Sequence, residues 1–237
     1  MVVTRGSNDA LDAIFPPGGL LARLRAANAD DWEAYTRHGF VRGMGDGTLP
    51  EPCFRHYLIQ DYLFLIHFAR AYALAAYKAE TLEELRAALR TASAISDTEM
   101  GLHVTYCAER GISEADMQAA PEGVATMAYT RYVMERGMAG DLLDLYAALA
   151  PCVLGYAEIG LALASEPATR RDGNPYESWI AMYSGDDYQE VARNTATFIK
   201  GMAQRRGAEA RIRSLTRTFG EATRLEAAFW QQGLEAR

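Results

Sequence analysis

The sequence predicts an all-α protein that forms a single-domain helical bundle. Long stretches of the chain lack glycine and proline in their interiors and are bounded by residues that commonly cap helices. No segment alternates apolar and polar residues between turn formers, so we predict no sheet. No internal repeat or linker divides the 237 residues. We therefore expect one domain over residues 18–237, preceded by a loosely attached, flexible arm over residues 1–17.

The first half of the chain predicts two long helices. Residues 51–79 contain no glycine, and Pro52 fits the first turn of a helix. Thr81 followed by Glu84 matches a capping box, in which the two side chains satisfy free backbone N–H groups. This pattern predicts a second helix that runs from Thr81 toward Arg110.

The second half predicts further helices, one of them strongly apolar. Their expected positions are a short turn at 113–116, helices at 121–136 and 141–165, a short helix at 176–183, and amphipathic helices at 188–204 and 208–232. Gly137 and Gly140 are expected to stop the helix before the apolar one. Pro151 is expected to kink the apolar helix or break it into two pieces.

Composition excludes several classes of function. With 24 Lys and Arg against 31 Asp and Glu, the chain has no basic excess with which to bind nucleic acid. Three cysteines without a Cys-x-x-Cys pair indicate neither a disulfide framework nor a zinc site, and a reducing cytoplasm is expected. Residues 57–77 and 142–164 are long enough to cross a bilayer. Both contain charged residues, so we interpret them as buried helices and expect no membrane contact.

Three residues in apolar surroundings suggest chemistry. Asp61 lies in a helix that is apolar almost all round, on one stripe with Phe64 and Phe68, and its alternative role is a structural carboxylate paired with an Arg or Tyr. Cys152 follows Pro151. If the proline begins a new helix, Cys152 lies in its first turn, where the helix dipole favours the thiolate form. The alternative is an inert buried thiol. Glu226 shares a face with Phe229, and its alternative is a solvated, ion-paired side chain.

A metal centre is not predicted. Helical bundles hold di-iron sites through paired Glu-x-x-His motifs, and none of the four histidines follows an acid by three residues. Glu99 and His103 could share a helix face, and we interpret both as hydrogen-bonded interior residues. No cofactor is expected.

Several segments together resemble the TenA family, also called thiaminase II. The matching blocks are residues 38–50, 57–68, 99–103, 151–160, 179–186 and 226–230. The resemblance implies a haem-oxygenase-like fold and an aminopyrimidine aminohydrolase of thiamin salvage. Such enzymes hydrolyse the substituent on the 5-methylene of a 4-amino-2-methylpyrimidine, by covalent cysteine catalysis. It also implies a homotetramer built as a dimer of dimers.

Roles follow from the same resemblance. Cys152 matches the nucleophile, Glu226 the acid and base, and Asp61 the carboxylate that holds the pyrimidine. The pocket lining is matched by Phe64, Tyr129, Tyr156, Tyr183 and Phe229. Phe64 stands where family members commonly have a tyrosine whose hydroxyl meets the cysteine. A second hypothesis is therefore a non-catalytic or altered-specificity pyrimidine-binding or regulatory protein of the same fold.

Overall fold

The computed structural model describes residues 5–236, with side chains from Ala10 onward, and within that range it contains helices and no strand. The helices are α1 (Arg5–Ile14), α2 (Leu20–Ala27), α3 (Ala29–Thr36), α4 (Gly39–Asp46), α5 (Glu51–Lys78), α6 (Leu82–Ser93), α7 (Met100–Ala108), α8 (Glu114–Ala119), α9 (Val124–Ala139), α10 (Leu142–Ser165), α11 (Glu177–Ser184), α12 (Asp186–Arg205) and α13 (Ile212–Glu235). A π-helical segment, Ala94–Glu99, joins α6 to α7, and a 3₁₀ turn, Ala208–Arg211, precedes α13. The prediction of an all-α fold is confirmed.

Helix α10 forms the centre of the bundle. It begins with a capping box, in which Asp141 accepts bonds from the backbone N–H groups of Leu143 and Asp144 while Asp144 accepts from the N–H of Asp141. It packs against α9, α11, α12 and α13. It is also long and apolar enough to cross a membrane, with a mean hydropathy of 1.7. Because 78% of its apolar window is buried inside the protein, its environment is that of a core helix.

Pro151 does not break α10 into two pieces, so the predicted break is wrong, while the alternative of a kink stays a prediction. The proline removes one backbone hydrogen bond, but apolar side chains on both sides of it are buried against neighbouring helices, which keeps the helix continuous. Cys152 therefore lies in the middle of a 24-residue helix and not in a first turn. The dipole at a helix N-terminus therefore does not act on its thiol. Gly137 likewise lies inside α9, which ends before Gly140.

The predicted second helix extends from Leu82 to Ala108, with the π-helical segment in its middle. The Thr81 hydroxyl accepts a bond from the N–H of Glu84 at 3.1 Å, as expected for a cap. The Glu84 carboxylate accepts from the N–H of Glu80 at 3.0 Å, so the reciprocal half of the capping box is displaced by one residue.

The described part of the N-terminal region packs against the bundle, and the flexibility expected of residues 1–17 stays a prediction. Residues 1–4 lie outside the described range, but α1 contacts α10 and α12, and Ile14 and Phe15 are buried in the common core. These apolar side chains lie beside Trp32 of α3, whose ring meets that of Phe15 edge to face at 5.6 Å. Helices α2 to α4 were not predicted from the sequence, because each has only eight residues and depends on tertiary packing.

Candidate active site

One pocket opens between α5, the π-helical segment, α10, α11 and α12. It contains about 620 Å³ of atom-free space, part of it open to solvent. Its lining consists of Asp61, Phe64, Leu65, Phe68, Tyr72, Thr91, Ile95, Glu99, Cys152, Val153, Tyr156, Tyr183, Tyr188, Val191 and Thr195. The walls are therefore mainly aromatic and aliphatic, with two carboxyl groups and one thiol among them.

The α5 wall follows the predicted stripe. Asp61, Phe64 and Phe68 all line the pocket, as their helical spacing predicted. The rings of Phe64 and Phe68 stack at 5.3 Å, so the carboxyl group of Asp61 lies beside apolar ring surface. Such a surface suits a flat aromatic ligand.

Asp61 is 8% exposed, and among residues 10–236 no arginine or tyrosine is paired with it, so its structural alternative finds no partner there. Burial raises the pKa of Asp61 to about 7. Its nearest basic group is His103, whose Nδ1 lies 3.5 Å from Asp61 Oδ2. Within residues 10–236 no side chain or backbone group makes a closer polar contact with this carboxyl group, so its hydrogen-bonding capacity is available to a ligand.

A hydrogen bond from Nε2 fixes which ring nitrogen of His103 carries the proton. His103 Nε2 donates to the carbonyl oxygen of Leu58 at 2.9 Å, which leaves Nδ1 without a proton in the neutral ring. Burial lowers the pKa of His103. Since burial also raises the pKa of Asp61, a proton between the two groups is favoured on Asp61. A protonated Asp61 can donate one hydrogen bond and accept another.

Cys152 of α10 and Glu226 of α13 form the second chemical pair. Glu226 is 2% exposed, so its predicted alternative as a solvated side chain is wrong. Burial raises the pKa of Glu226 to about 8, and the Tyr129 hydroxyl and Cys152 thiol beside it oppose that shift. The Tyr129 hydroxyl donates to Glu226 Oε1 at 2.8 Å. Burial and the neighbouring Glu226 carboxylate raise the pKa of the Cys152 thiol well above its usual range.

Near neutral pH both groups, the thiol and the carboxyl group, favour their protonated forms, and among the described residues no cation acts on the thiol to stabilise a thiolate. Because the pKa of Glu226 is about 8, a fraction of this carboxyl group is ionised near neutral pH. That ionised form can take the Cys152 proton as the sulfur bonds to a ligand. The site is therefore suited to a reaction in which sulfur attack and proton transfer occur together.

Three of the predicted site residues lie behind the pocket wall. Glu226, Tyr129 and Phe229 are buried but do not line the pocket. Phe64 lies between the pocket and both Tyr129 and Phe229, because the Phe64 ring stacks on Tyr129 at 5.2 Å and meets Phe229 at 5.8 Å. The predicted direct lining roles of Tyr129 and Phe229 therefore differ from the structure. Tyr129 instead orients Glu226, and Phe229 supports Phe64.

The opposite wall is a row of tyrosines. Tyr156 meets Tyr183 with ring centroids 4.9 Å apart, and Tyr183 meets Tyr188 at 4.7 Å. Tyr156 and Tyr183 were predicted; Tyr188 was missed. Its signal in the sequence is an aromatic residue in the first turn of an amphipathic helix, which is also the pattern of an ordinary core contact.

Glu99 was also missed as a site residue. The interpretation of Glu99 and His103 as hydrogen-bonded interior residues holds for His103 and is wrong for Glu99, which lines the pocket. Burial, and then the charge of Asp61, raise the pKa of Glu99 to about 7. Among the described residues, no group of three or more His, Cys, Asp and Glu side chains could hold a metal ion.

The sequence profile of the TENA/THI-4/PQQC family matches residues 26–236. This chain belongs to that family. The aminopyrimidine aminohydrolase of Halalkalibacterium halodurans is 35% identical to it over 87% of this chain and 91% of its own length. A crystal structure described as a TenA family transcription regulator, from Silicibacter sp. TM1040, is 47% identical, with a TM-score of 0.87, and the match covers 93% of this chain and 98% of that one.

The fold class has a structural counterpart as well. A protein of Shewanella denitrificans with a haem oxygenase-like fold superposes with a TM-score of 0.71 at 15% identity, over 90% of this chain and 91% of its own. The predicted haem-oxygenase-like fold and TenA membership are confirmed. The prediction of an enzyme is confirmed too, because curated relatives over most of the chain are aminohydrolases.

Proposed function

We propose that this TenA-family protein hydrolyses the 5-methylene substituent of an aminopyrimidine, with 4-amino-5-aminomethyl-2-methylpyrimidine as the substrate and the hydroxymethyl pyrimidine as the product. The observation that carries the proposal is that Cys152 and Asp61 line one aromatic pocket while Glu226 adjoins the thiol. Curated relatives with this hydrolase activity in their names support the substrate class. Thiamin itself, with a thiazolium leaving group, is a slower candidate substrate.

Asp61 recognises the aminopyrimidine edge in this proposal. A carboxyl group can donate to one ring nitrogen while it accepts from the adjacent 4-amino group, which matches the two free oxygens of Asp61. The tyrosine wall and Phe64 enclose the flat ring, since offset and edge contacts between rings are favourable. As positive charge develops on the pyrimidine, Asp61 ionises and stabilises it.

Covalent catalysis overcomes the difficulty of displacing an amine from a methylene on an aromatic ring. In the form of the protein in which Glu226 is ionised, the Cys152 proton moves to Glu226 while Sγ bonds to ring carbon C6, and the ring loses its aromaticity. Electrons then move from the ring nitrogens through the C4–C5 bond and break the bond between the methylene carbon and nitrogen. The nitrogen leaves with the bonding pair and takes the proton from Glu226, so ammonia departs.

Water completes the cycle. It adds to the exocyclic methylene and gives one proton to Glu226, which is then the base. The C6–Sγ bond breaks with its electron pair on sulfur, aromaticity returns, and Glu226 returns the proton to Cys152. The net reaction consumes one water and releases ammonia and the hydroxymethyl pyrimidine. The raised pKa of Glu226, about 8, suits a group that must both donate and accept near neutral pH.

The test is release of ammonia by the purified chain and by Cys152→Ser. We expect the wild type to release ammonia from 4-amino-5-aminomethyl-2-methylpyrimidine and Cys152→Ser to lose about 10³-fold or more in kcat, because the alcohol is a far weaker nucleophile. Cys107→Ser is the matched control, since Cys107 is buried away from the pocket lining. Full activity of Cys152→Ser would refute the nucleophile assignment.

Phe64 motivates the second candidate function. It provides no hydroxyl to meet the Cys152 sulfur, and a protein with this pocket could bind the pyrimidine as a binding or regulatory protein without turning it over. Tight binding of the hydroxymethyl pyrimidine together with no turnover of any thiamin-derived substrate would favour this candidate over the hydrolase. We further propose a cytoplasmic homotetramer, in keeping with the family resemblance.

A further inference from the structure

Glu99 is the pocket carboxyl group that the proposed reaction does not use. It lines the pocket together with Asp61 and Cys152. Within residues 10–236 it has neither a hydrogen bond nor an ion pair, and only burial and the charge of Asp61 act on its pKa. Glu99 is half-buried, and a carboxyl group removed from part of its water gains from a ligand that completes its hydrogen bonds.

The π-helical segment accounts for the position of Glu99. An α-helix advances about 100° per residue, so Thr91 and Ile95 lie on nearly the same face. A π-turn closes at i→i+5 and advances by only about 80° per residue, which brings Glu99 back onto that face. Thr91, Ile95 and Glu99 all line the pocket, whereas residues 96–98 between them are exposed. In a regular α-helix the position of Glu99 would be rotated about the helix axis by roughly 70° from the position that it has after the π-turn.

The chemistry of the substrate places one group beside Glu99. If Asp61 holds the 4-amino side of the ring and Cys152 reaches C6, the substituent on C5 lies between these two residues. Two further carboxyl groups act electrostatically on Cys152: Glu226 from behind the wall and Glu99 from the pocket lining. Glu226 already accepts a bond from Tyr129, so Glu99 is the free acceptor for the substituent.

We infer that Glu99 is a specificity-determining residue that binds a positively charged substituent on the 5-methylene, and so selects cationic substrates over uncharged ones. The inference rests on the proposed function and deepens it. An aminomethyl group enters from neutral water as an ammonium ion, and Glu99 accepts a charge-assisted hydrogen bond from it. The hydroxymethyl product carries no charge and loses this contact, which favours its release.

The contact also lets the ion pair lose its charges. Because the pKa of Glu99 is raised to about 7, one proton can move from the ammonium nitrogen to the Glu99 carboxylate. The result is a neutral amine beside a neutral acid, with no change in total charge. In the proposed reaction the neutral amine takes the proton of Glu226 and departs as ammonia, which recovers the proton of Glu99 and leaves the pocket as ammonium.

The test measures binding without chemistry, by calorimetry on the full chain carrying Cys152→Ser. In that background Glu99→Gln is expected to weaken the binding of the aminomethyl pyrimidine by about 10- to 100-fold, the usual effect of losing a hydrogen bond to a charged group. It should change the affinity for the hydroxymethyl pyrimidine by less than about twofold. Asp97→Asn is the matched control, since it removes a charge from the same segment at an exposed position and should change neither affinity.

The outcomes separate this inference from the proposed function. Equal weakening of both ligands by Glu99→Gln, or no weakening of either, would refute the charge-selective role even if the wild type is an active hydrolase. Charge selection that depends on Glu99 in a protein without turnover would support the inference and refute the hydrolase. If the Cys152→Ser protein binds neither pyrimidine, both the inference and the proposed function are refuted. Glu99→Asp keeps the charge and should retain part of the preference, which a loss of folding could not imitate.

Discussion

At the scale of single residues, the site combines groups whose pKa values are all raised. Asp61 and Glu226 are buried carboxyl groups, Glu99 is a half-buried one, and Cys152 is a thiol that retains its proton. Burial among aromatic rings is the main cause in every case. The same aromatic walls that would enclose a pyrimidine therefore also make these groups available for proton transfer near neutral pH.

Phe64→Tyr is expected to raise kcat by about 10- to 100-fold. The resemblance to the family implies that the added hydroxyl meets the Cys152 sulfur, which lines the same pocket, and donates to it as negative charge develops there; hydrogen bonds to charged groups contribute about 1.5–3 kcal/mol. The measurement is ammonia release under saturating aminomethyl pyrimidine. Phe64→Leu, which adds no hydroxyl, serves as the control and should not exceed the wild type. An unchanged or lower kcat in Phe64→Tyr would show that the missing hydroxyl does not limit this site.

The stability of the protein should fall as the pH rises from about 4.5 to 8. Glu226 has a folded-state pKa of about 8, above its unfolded value of 4.5, so the folded state holds more protons in this window and deprotonation favours unfolding. A shift of this size contributes on the order of 4 kcal/mol. Denaturant unfolding of the wild type and Glu226→Gln at pH 5 and pH 8 measures it. The glutamine variant should show the smaller loss; identical losses would contradict the raised pKa.

At the scale of helices, α10 depends on close approach by its neighbours. A Cβ on Gly160 would lie 2.5 Å from the carbonyl oxygen of Tyr183, so only glycine lets α11 pack at this distance. Because Tyr183 lines the pocket, this contact positions one end of the tyrosine wall. The glycine therefore serves the site through helix packing and not through chain flexibility.

Gly160→Ala should destabilise the protein by about 1–3 kcal/mol, as overpacking of a core contact commonly does, and should weaken pyrimidine binding by displacing Tyr183. Gly201→Ala is the control, because its Cβ would meet only the end of the flexible Arg205 side chain at 3.5 Å. Alanine also favours a helix over glycine by about 1 kcal/mol, so that control should be neutral or stabilising. Thermal unfolding and calorimetry distinguish the two. Equal stability of both variants would contradict the packing argument.

At the scale of the whole molecule, α9 exposes three large apolar side chains. Val124, Met127 and Met138 are exposed on it, and Tyr77 at the end of α5 is exposed as well. Such residues commonly become buried on association. This surface is consistent with the proposed homotetramer.

Light scattering should give a mass of about four chains of 26.1 kDa each. Substitution of both Met127 and Met138 by glutamate should lower that mass, because burying two charges in an apolar contact is unfavourable. Gln204→Glu, which adds a charge at an exposed position of α12, should leave the mass unchanged. A single-chain mass for the wild type would refute the tetramer.

The sequence by itself determined the helical class, the long helices and the three chemical candidates, because caps, apolar periodicity and isolated polar residues are local signals. Residues 51–79, for example, predicted α5 almost to the residue, and the isolation of Asp61 within it predicted a buried carboxyl group. The family resemblance added roles that spacing alone could not give.

Only the tertiary structure decided how those residues combine. Packing kept α10 continuous through Pro151, and so placed Cys152 beside Glu226 instead of at a helix end. The π-helical segment turned Glu99 into the pocket, and Phe64 separated Tyr129 and Phe229 from it. These outcomes depend on contacts between helices far apart in the chain, where the energy of packing outweighs the local preference of any one residue.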